Sequence, residues 1–144
     1  SSSPIHLAGH GISGTIAYLY AQKYQKNISS VSLLSVDIHS SNQWTSHYQS
    51  MRSQLPCSRY YILSHLSRLL FDTQADHMQN IVTKMLANCL DNDFVNGSII
   101  QYPKIENLGR ISAPTLVING EDDFVVDKNC CQRWKSLFKE SSLR

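Results

Sequence analysis

The stretch His6-Leu7-Ala8-Gly9-His10-Gly11-Ile12-Ser13-Gly14-Thr15-Ile16-Ala17 decides how the rest of the chain is interpreted. Residues 4–9 are typical of a short buried strand, and the apolar positions that follow recur at helical spacing and predict a helix to about Lys26. Small residues occupy the turn between strand and helix: Gly9, Gly11, Ser13 and Gly14. This composition predicts a sharp turn in which the helix starts close against the strand.

Two further apolar runs, residues 31–36 and residues 111–119, predict a second and a third strand. Helical patterns connect the strands, which favours a parallel sheet with right-handed crossovers in an α/β fold. A final amphipathic helix follows the third strand, with Asp127 as its predicted cap.

A long helical insertion separates the second and third predicted strands. Its first helix carries Trp44 and Tyr48 and ends before Pro56, and its second begins behind a predicted Ser58 cap. A third helix shows one apolar face over residues 78–89. Its predicted cap is either of two neighbouring residues, Asp72 or Thr73.

Composition excludes several classes of function. The 144 residues are 42% hydrophobic and 17% charged, in the range of a soluble domain, and the net charge of +2 comes from scattered basic residues rather than a nucleic-acid-binding stripe. The four cysteines and six histidines lack metal-ligand spacing, so we expect no metal and no disulfide framework. No apolar run could span a membrane, and no signal-peptide pattern is present, which predicts a cytoplasmic protein.

Two separated stretches together resemble the α/β-hydrolase fold family. Residues 7–14 look like its nucleophile elbow, and residues 113–126 look like the strand and loop that deliver its catalytic acid. The resemblance implies a partial α/β-hydrolase fold with parallel strands, flanking helices and an inserted helical cap, or lid. It divides the chain into a core segment at residues 1–37, a cap at 38–108 and a second core segment at 109–144, which correspond to the later half of such a domain.

The resemblance assigns the elbow's nucleophile position to Gly11, which has no side chain to react. The family holds this position at positive φ, which glycine adopts without strain. A shifted register would instead make Ser13 the nucleophile, but it would put the larger Thr15 and Ile16 where the helix must approach the strand closely. Both alternatives stay open on the sequence, with Gly11 favoured.

The acid position of the family falls on Asp123, which would orient a catalytic histidine. Asp37, after the second strand, is the other place where the family can carry its acid, and His39 follows it closely. No histidine follows Asp123, since the last one is His77, and the loop that completes the family's oxyanion hole has no counterpart in the sequence.

Pocket-lining positions implied by the resemblance are His10 and Ile12 beside the elbow and Trp44 and Tyr48 on the cap. The ligand would be a small apolar or ester-like molecule, and no cofactor is implied because the family's chemistry uses side chains and water. We expect no nucleic-acid partner.

Three functions follow from these patterns. The first is hydrolysis of a small ester or amide, with activity in doubt because Gly11 replaces the nucleophile. The second is a pseudoenzyme that binds a small molecule or acts as a scaffold. The third is a fragment, since the chain opens on Ser1-Ser2-Ser3 without Met and resembles only half a domain, so its partner would be the missing half or a second copy.

Overall fold

The computed structural model describes residues 3–39, 44–72, 75–92 and 109–139. The chain divides into two compact units, one formed by Ser1–Asn42 together with Tyr102–Arg144 and the other by Gln43–Gln101. The described strands are β1 (Ile5–His10), β2 (Ile28–Leu34) and β3 (Thr115–Ile118). The described helices are α1 (Ile12–Lys23), α2 (Trp44–Gln54), α3 (Arg59–Phe71), α4 (Asp76–Asn92) and α5 (Cys130–Lys139).

The sheet unit contains one parallel sheet in the order β1-β2-β3 over the residues described. In its register Leu7 lies opposite Val31, and Leu33 lies opposite Val117. Parallel strands connected through helices confirm the predicted α/β class. Because the strands run in one direction, their carboxyl ends meet at a single edge of the sheet.

The core of the sheet unit lies between the sheet and two helices. Tyr18 of α1 and Trp134 of α5 are fully buried with Val31 and Leu33 of β2 in one apolar cluster. The Tyr18 and Trp134 rings are 5.2 Å apart between centroids, and the Trp134 indole N–H donates to the Val36 carbonyl at 2.7 Å. Both helices therefore cover the same face of the sheet.

The strands and helices begin and end at residues that differ from the predicted ones, and local contacts explain the differences. β2 begins at Ile28, earlier than the pattern predicts, because Ile28 already pairs with Ile5. α1 ends at Lys23, and a short 3-10 turn over Gln25–Asn27 leads into β2.

β3 begins at Thr115, later than the predicted run, and the described residues 109–112 that precede it bind α1 and the 3-10 turn that follows α1. The Tyr18 hydroxyl donates to the Gly109 carbonyl at 3.0 Å. The Gln25 side-chain oxygen accepts from the Ser112 backbone N–H at 3.1 Å. These contacts fix the segment that enters β3.

The helical unit is held by α3 packed on α4 and α2 packed on α3. The Ser58 hydroxyl accepts from the Tyr61 backbone N–H at 3.2 Å, which confirms the predicted cap of α3. The prediction of Asp72 as the cap of α4 is wrong: Asp72 ends α3 with φ of 62°, and Thr73 lies outside the described residues. No helix in the described ranges has the length and apolar character needed to cross a membrane.

A buried polar row joins α3 to α4. The Gln79 amide nitrogen donates to the Ser64 hydroxyl at 2.9 Å, and the Thr83 hydroxyl donates to the Gln79 carbonyl at 2.7 Å. Thr83 also lies 3.5 Å from the buried Ser67 hydroxyl. Because buried polar groups need partners, this row sets how the two helices pair.

Candidate functional site

The turn between β1 and α1 is centred on Gly11, whose backbone has φ of 55° and ψ of −126°. The positive φ that the sequence predicts at this position is present. The Gly11 N–H donates to the Leu34 carbonyl of β2 at 3.0 Å, and its carbonyl accepts from the N–H groups of Gly14 and Thr15 at 3.0 and 3.1 Å. The turn is therefore bound both to the neighbouring strand and to the first turn of the helix.

The approach of α1 to β1 leaves no room for side chains at Gly9 and Gly14. A Cβ atom on Gly9 would lie 2.5 Å from the Gly14 Cα. A Cβ atom on Gly14 would lie 2.3 Å from the Val36 Cγ2 and 2.8 Å from the Gly9 carbonyl oxygen. These distances are far below van der Waals contact, so the small residues of the turn are required by packing.

The residues beside Gly11 differ in exposure. His10, the last residue of β1, is exposed, Ile12 is half-buried, and Ser13 is exposed in the first turn of α1. The first N–H groups of a helix have no partner within it, and in α1 these belong to Ile12 and Ser13. Such groups can donate to a ligand oxygen.

Asp123 is half-buried in the loop after β3. One of its carboxylate oxygens, Oδ1, accepts from the backbone N–H groups of Val125 and Val126, each at 2.9 Å. Among the described residues no histidine hydrogen-bonds to this carboxylate. In this arrangement the Asp123 carboxylate stabilises the backbone of the loop that contains it.

Asp37, the alternative acid position, is buried and bound by an arginine that no sequence pattern pointed to. Arg133 of α5 donates through Nε to Asp37 Oδ1 at 3.1 Å and through Nη2 to Oδ2, and its Nη1 binds Asp127 Oδ2 at 3.0 Å. The hydrogen bond to Asp37 raises the pKa of Arg133 above its usual value. Asp37 thus anchors α5 to the end of β2.

Asp127 lies at the start of α5, where the sequence predicted a capping residue. Its Oδ1 accepts from the Asn129 N–H at 2.8 Å, and its carbonyl accepts from the Cys130 N–H at 2.8 Å. The Asn129 hydrogen bond, followed by that from Arg133, lowers the pKa of Asp127.

Cys130 is fully buried, and burial, reinforced by the neighbouring Cys131, raises the pKa of its thiol to about 12. It is therefore neutral and a poor nucleophile at physiological pH. Over the described ranges no group of three or more His, Cys, Asp or Glu side chains is placed to hold a metal ion.

The carboxyl edge of the sheet brings together the Gly11 turn and the segments that carry Asp37 and Asp123. Trp44 and Tyr48 lie on α2 in the helical unit, both half-buried. That unit has a cleft of about 290 Å³ between α3 and α4, lined by Leu63 and Thr83 among others and flanked by an ion pair of Arg59 and Asp91 at 2.6 Å.

No family model matches the chain. It is 34% identical over 139 residues to the uncharacterized protein sll0249 of Synechocystis sp., an alignment that covers 92% of this chain and 53% of the relative. It is 32% identical over 139 residues to the uncharacterized protein alr2406 of Nostoc sp., covering 94% of this chain and 54% of the relative. The chain thus spans about half the length of these two cyanobacterial relatives.

Proposed function

We propose that this chain carries the later part of an α/β-hydrolase fold and binds a small apolar or ester-like molecule at the carboxyl edge of its sheet without hydrolysing it. The observation that carries the proposal is the backbone of Gly11. Its φ of 55° and ψ of −126°, between a strand and a helix, are the kind of strained geometry in which this family presents a nucleophile. At Gly11 the turn is kept and no reactive atom projects from it.

The surroundings of Gly11 support binding. In the family, the backbone N–H of the residue after the nucleophile contributes to the oxyanion hole, and here that residue is Ile12. An ester or amide carbonyl could accept from this N–H at the helix terminus, where the dipole favours negative charge. The absence of a side chain at Gly11 leaves space for the ligand's acyl carbon.

The acids give little support for catalysis. Both oxygens of Asp37 are bound by Arg133, and Oδ1 of Asp123 is bound by two backbone N–H groups. A serine hydrolase needs a nucleophile hydrogen-bonded to a histidine that an acid orients. Activity would require Ser13 to react and a histidine from polypeptide beyond residues 1–144 to act as its base.

The test is to add p-nitrophenyl butyrate to the purified chain, recording the amide NMR signals of Ile12 and Ser13 together with nitrophenol release. We expect saturable shifts of these signals and no release. Gly11→Ala should weaken binding because its methyl group enters the space left for the acyl carbon. Gly109→Ala is the matched control, because Gly109 also has positive φ, 69°, the nearest atom to an added Cβ is 3.7 Å away, and the residue precedes β3 and so lies away from the carboxyl edge; the change should leave binding unaltered.

Two outcomes would contradict the proposal. Nitrophenol release, or labelling by a fluorophosphonate, that Ser13→Ala abolishes would identify a displaced nucleophile and an active hydrolase. A folded chain whose Ile12 and Ser13 signals do not respond to the ester would show that this edge binds no such molecule.

A further inference from the structure

Arg110 lies half-buried in the segment that enters β3, and part of its guanidinium group is without a hydrogen-bond partner among the described residues. The two nitrogens concerned are Nε and Nη2, and both are buried. A guanidinium group stays charged at physiological pH, so these N–H groups are donors of a cation. Leaving buried donors unsatisfied costs the full free energy of removing them from water. A ligand that accepts from both nitrogens would remove this cost.

Nε and Nη2 form one edge of the guanidinium plane, and this edge is suited to an anion with two oxygens. Arg133 shows the same use of it in this protein, because its Nε and Nη2 bind the two carboxylate oxygens of Asp37. Bidentate pairs of this kind explain why arginine is preferred wherever carboxylate or phosphate is recognised. The unpartnered edge of Arg110 therefore matches an oxyanion.

The backbone on both sides of Arg110 is held in place by α1 and the 3-10 turn that follows it. The Gly109 carbonyl accepts from the Tyr18 hydroxyl at 3.0 Å, and the Ser112 N–H donates to a side-chain oxygen of the 3-10 turn at 3.1 Å. Ile111, between them, is buried in the core of the sheet unit. Because the point of attachment is fixed, binding an anion orders only the Arg110 side chain, which keeps the entropic cost of binding low.

The edge of the sheet at which Arg110 lies is positively charged over the described residues. The amino ends of the parallel strands meet at the edge opposite the Gly11 turn, and Lys23, at the end of α1, and Lys26, just before β2, lie at this amino edge as well. The described acids of the sheet unit all follow β2 or β3 instead: Asp37, Glu121, Asp122, Asp123 and Asp127. A group of cations separated from the acids attracts anions, and attracts a dianion more strongly than a monoanion.

We propose that Arg110 is the centre of a binding site for a phosphate group at the amino edge of the sheet. Nε and Nη2 donate to two phosphate oxygens, while Lys23 and Lys26 add attraction through their charge. Phosphate fits better than carboxylate because a phosphate monoester carries about −1.5 to −2 charges at pH 7. Arg110 is half-buried, so rotation about its side-chain bonds brings the covered edge to the ligand. The site lies opposite the Gly11 turn, so the inference does not depend on the proposed function.

The test is to titrate the 144-residue chain with inorganic phosphate at constant ionic strength, recording the arginine Nε–H signals by NMR and the affinity by calorimetry. We expect a saturable shift of the Arg110 signal and none of the Arg133 signal, because Nε of Arg133 is already bound to Asp37. Arg110→Lys keeps the charge but loses the bidentate edge, and should weaken binding about tenfold. Phenyl phosphate, titrated in parallel, distinguishes a site for phosphate esters, which would bind it more tightly, from a site for free phosphate.

Lys26→Gln is the matched control, because it removes a charge from the same edge and leaves Arg110 in place; it should weaken binding only slightly. The proposal is overturned if phosphate leaves the Arg110 signal unchanged, if Arg110→Lys and Lys26→Gln act alike, or if acetate binds as tightly as phosphate. It is also overturned if Glu106→Gln shifts the Arg110 signal before any phosphate is added, because the partner of Arg110 would then be a carboxylate of the chain itself.

Discussion

Replacing Arg133 by methionine should destabilise the sheet unit strongly. The substitution keeps the length and most of the volume of the side chain but removes both charge-assisted contacts to Asp37, whose side chain is only 3% exposed. Removing one partner of a buried ion pair costs about 3–5 kcal/mol, because the remaining charge is buried without compensation. Since the Arg133 side chain is itself 26% exposed, water can reach part of the vacated space, and we expect about 3 kcal/mol.

The assay is urea unfolding followed by the fluorescence of Trp134, in a Trp44→Phe background so that only the sheet unit reports. Asp127→Asn is the control: it removes the charge of the other partner of Arg133, whose side chain is 47% exposed, and should cost much less than Arg133→Met because exposed ion pairs contribute little. Adding Asp37→Asn to Arg133→Met should restore part of the lost stability. An Arg133→Met variant that costs no more than Asp127→Asn, or an added Asp37→Asn that destabilises the protein further, would contradict the role of this buried ion pair.

Three further predictions concern other parts of the chain. Gly14→Ala should lower the unfolding free energy by about 1–3 kcal/mol in urea titration, because its Cβ would lie 2.3 Å from Val36, whereas Gly120→Ala should be neutral; equal effects would contradict this packing argument. Burial raises the pKa of the Cys130 thiol to about 12, so above the ordinary thiol pKa of about 8.5 the unfolded thiol ionises while the folded one does not. The free energy of unfolding should therefore fall by up to about 1.4 kcal/mol per pH unit as the pH rises from about 8.5 toward 12. The decline should be shallower in Cys130→Ala, and parallel pH profiles of the two proteins would refute the prediction. Ser58→Ala should lower the free energy of unfolding by about 1 kcal/mol, measured by thermal unfolding with circular dichroism, because the α3 cap is lost. Ser53→Ala, at an exposed helix position, should have no measurable effect. Equal stabilities of the two variants would contradict the prediction.

The sequence predicted those features of the fold that depend on local patterns. The strand, glycine turn and helix around Gly11 were predictable because positive φ and close packing both select small residues. The Ser58 cap was predictable for the same kind of reason, since a hydroxyl at that position satisfies a helix N–H. The early start of β2 was not, because Ile28 is recruited by its neighbour Ile5 and the serines after it are poor strand signals.

The arrangement of the candidate site was harder to predict from the sequence than the fold. The ion pair of Asp37 could not be predicted from the sequence around it, because Arg133 lies 96 positions away and only the packing of α5 brings the two residues together. Asp123 matched the acid position, yet its contacts to Val125 and Val126 are those of any aspartate that caps a turn.

β2 and β3 are neighbours in the sheet although residues 35–114 separate them, and the helical unit occupies most of that interval. The entropic cost of closing such a connection grows only with the logarithm of its length, so doubling it would cost about 0.6 kcal/mol more. The sheet therefore places almost no restraint on the size of what is inserted. Residues 43–101 can be lengthened, shortened or exchanged during evolution while the Gly11 turn and the sheet remain as they are.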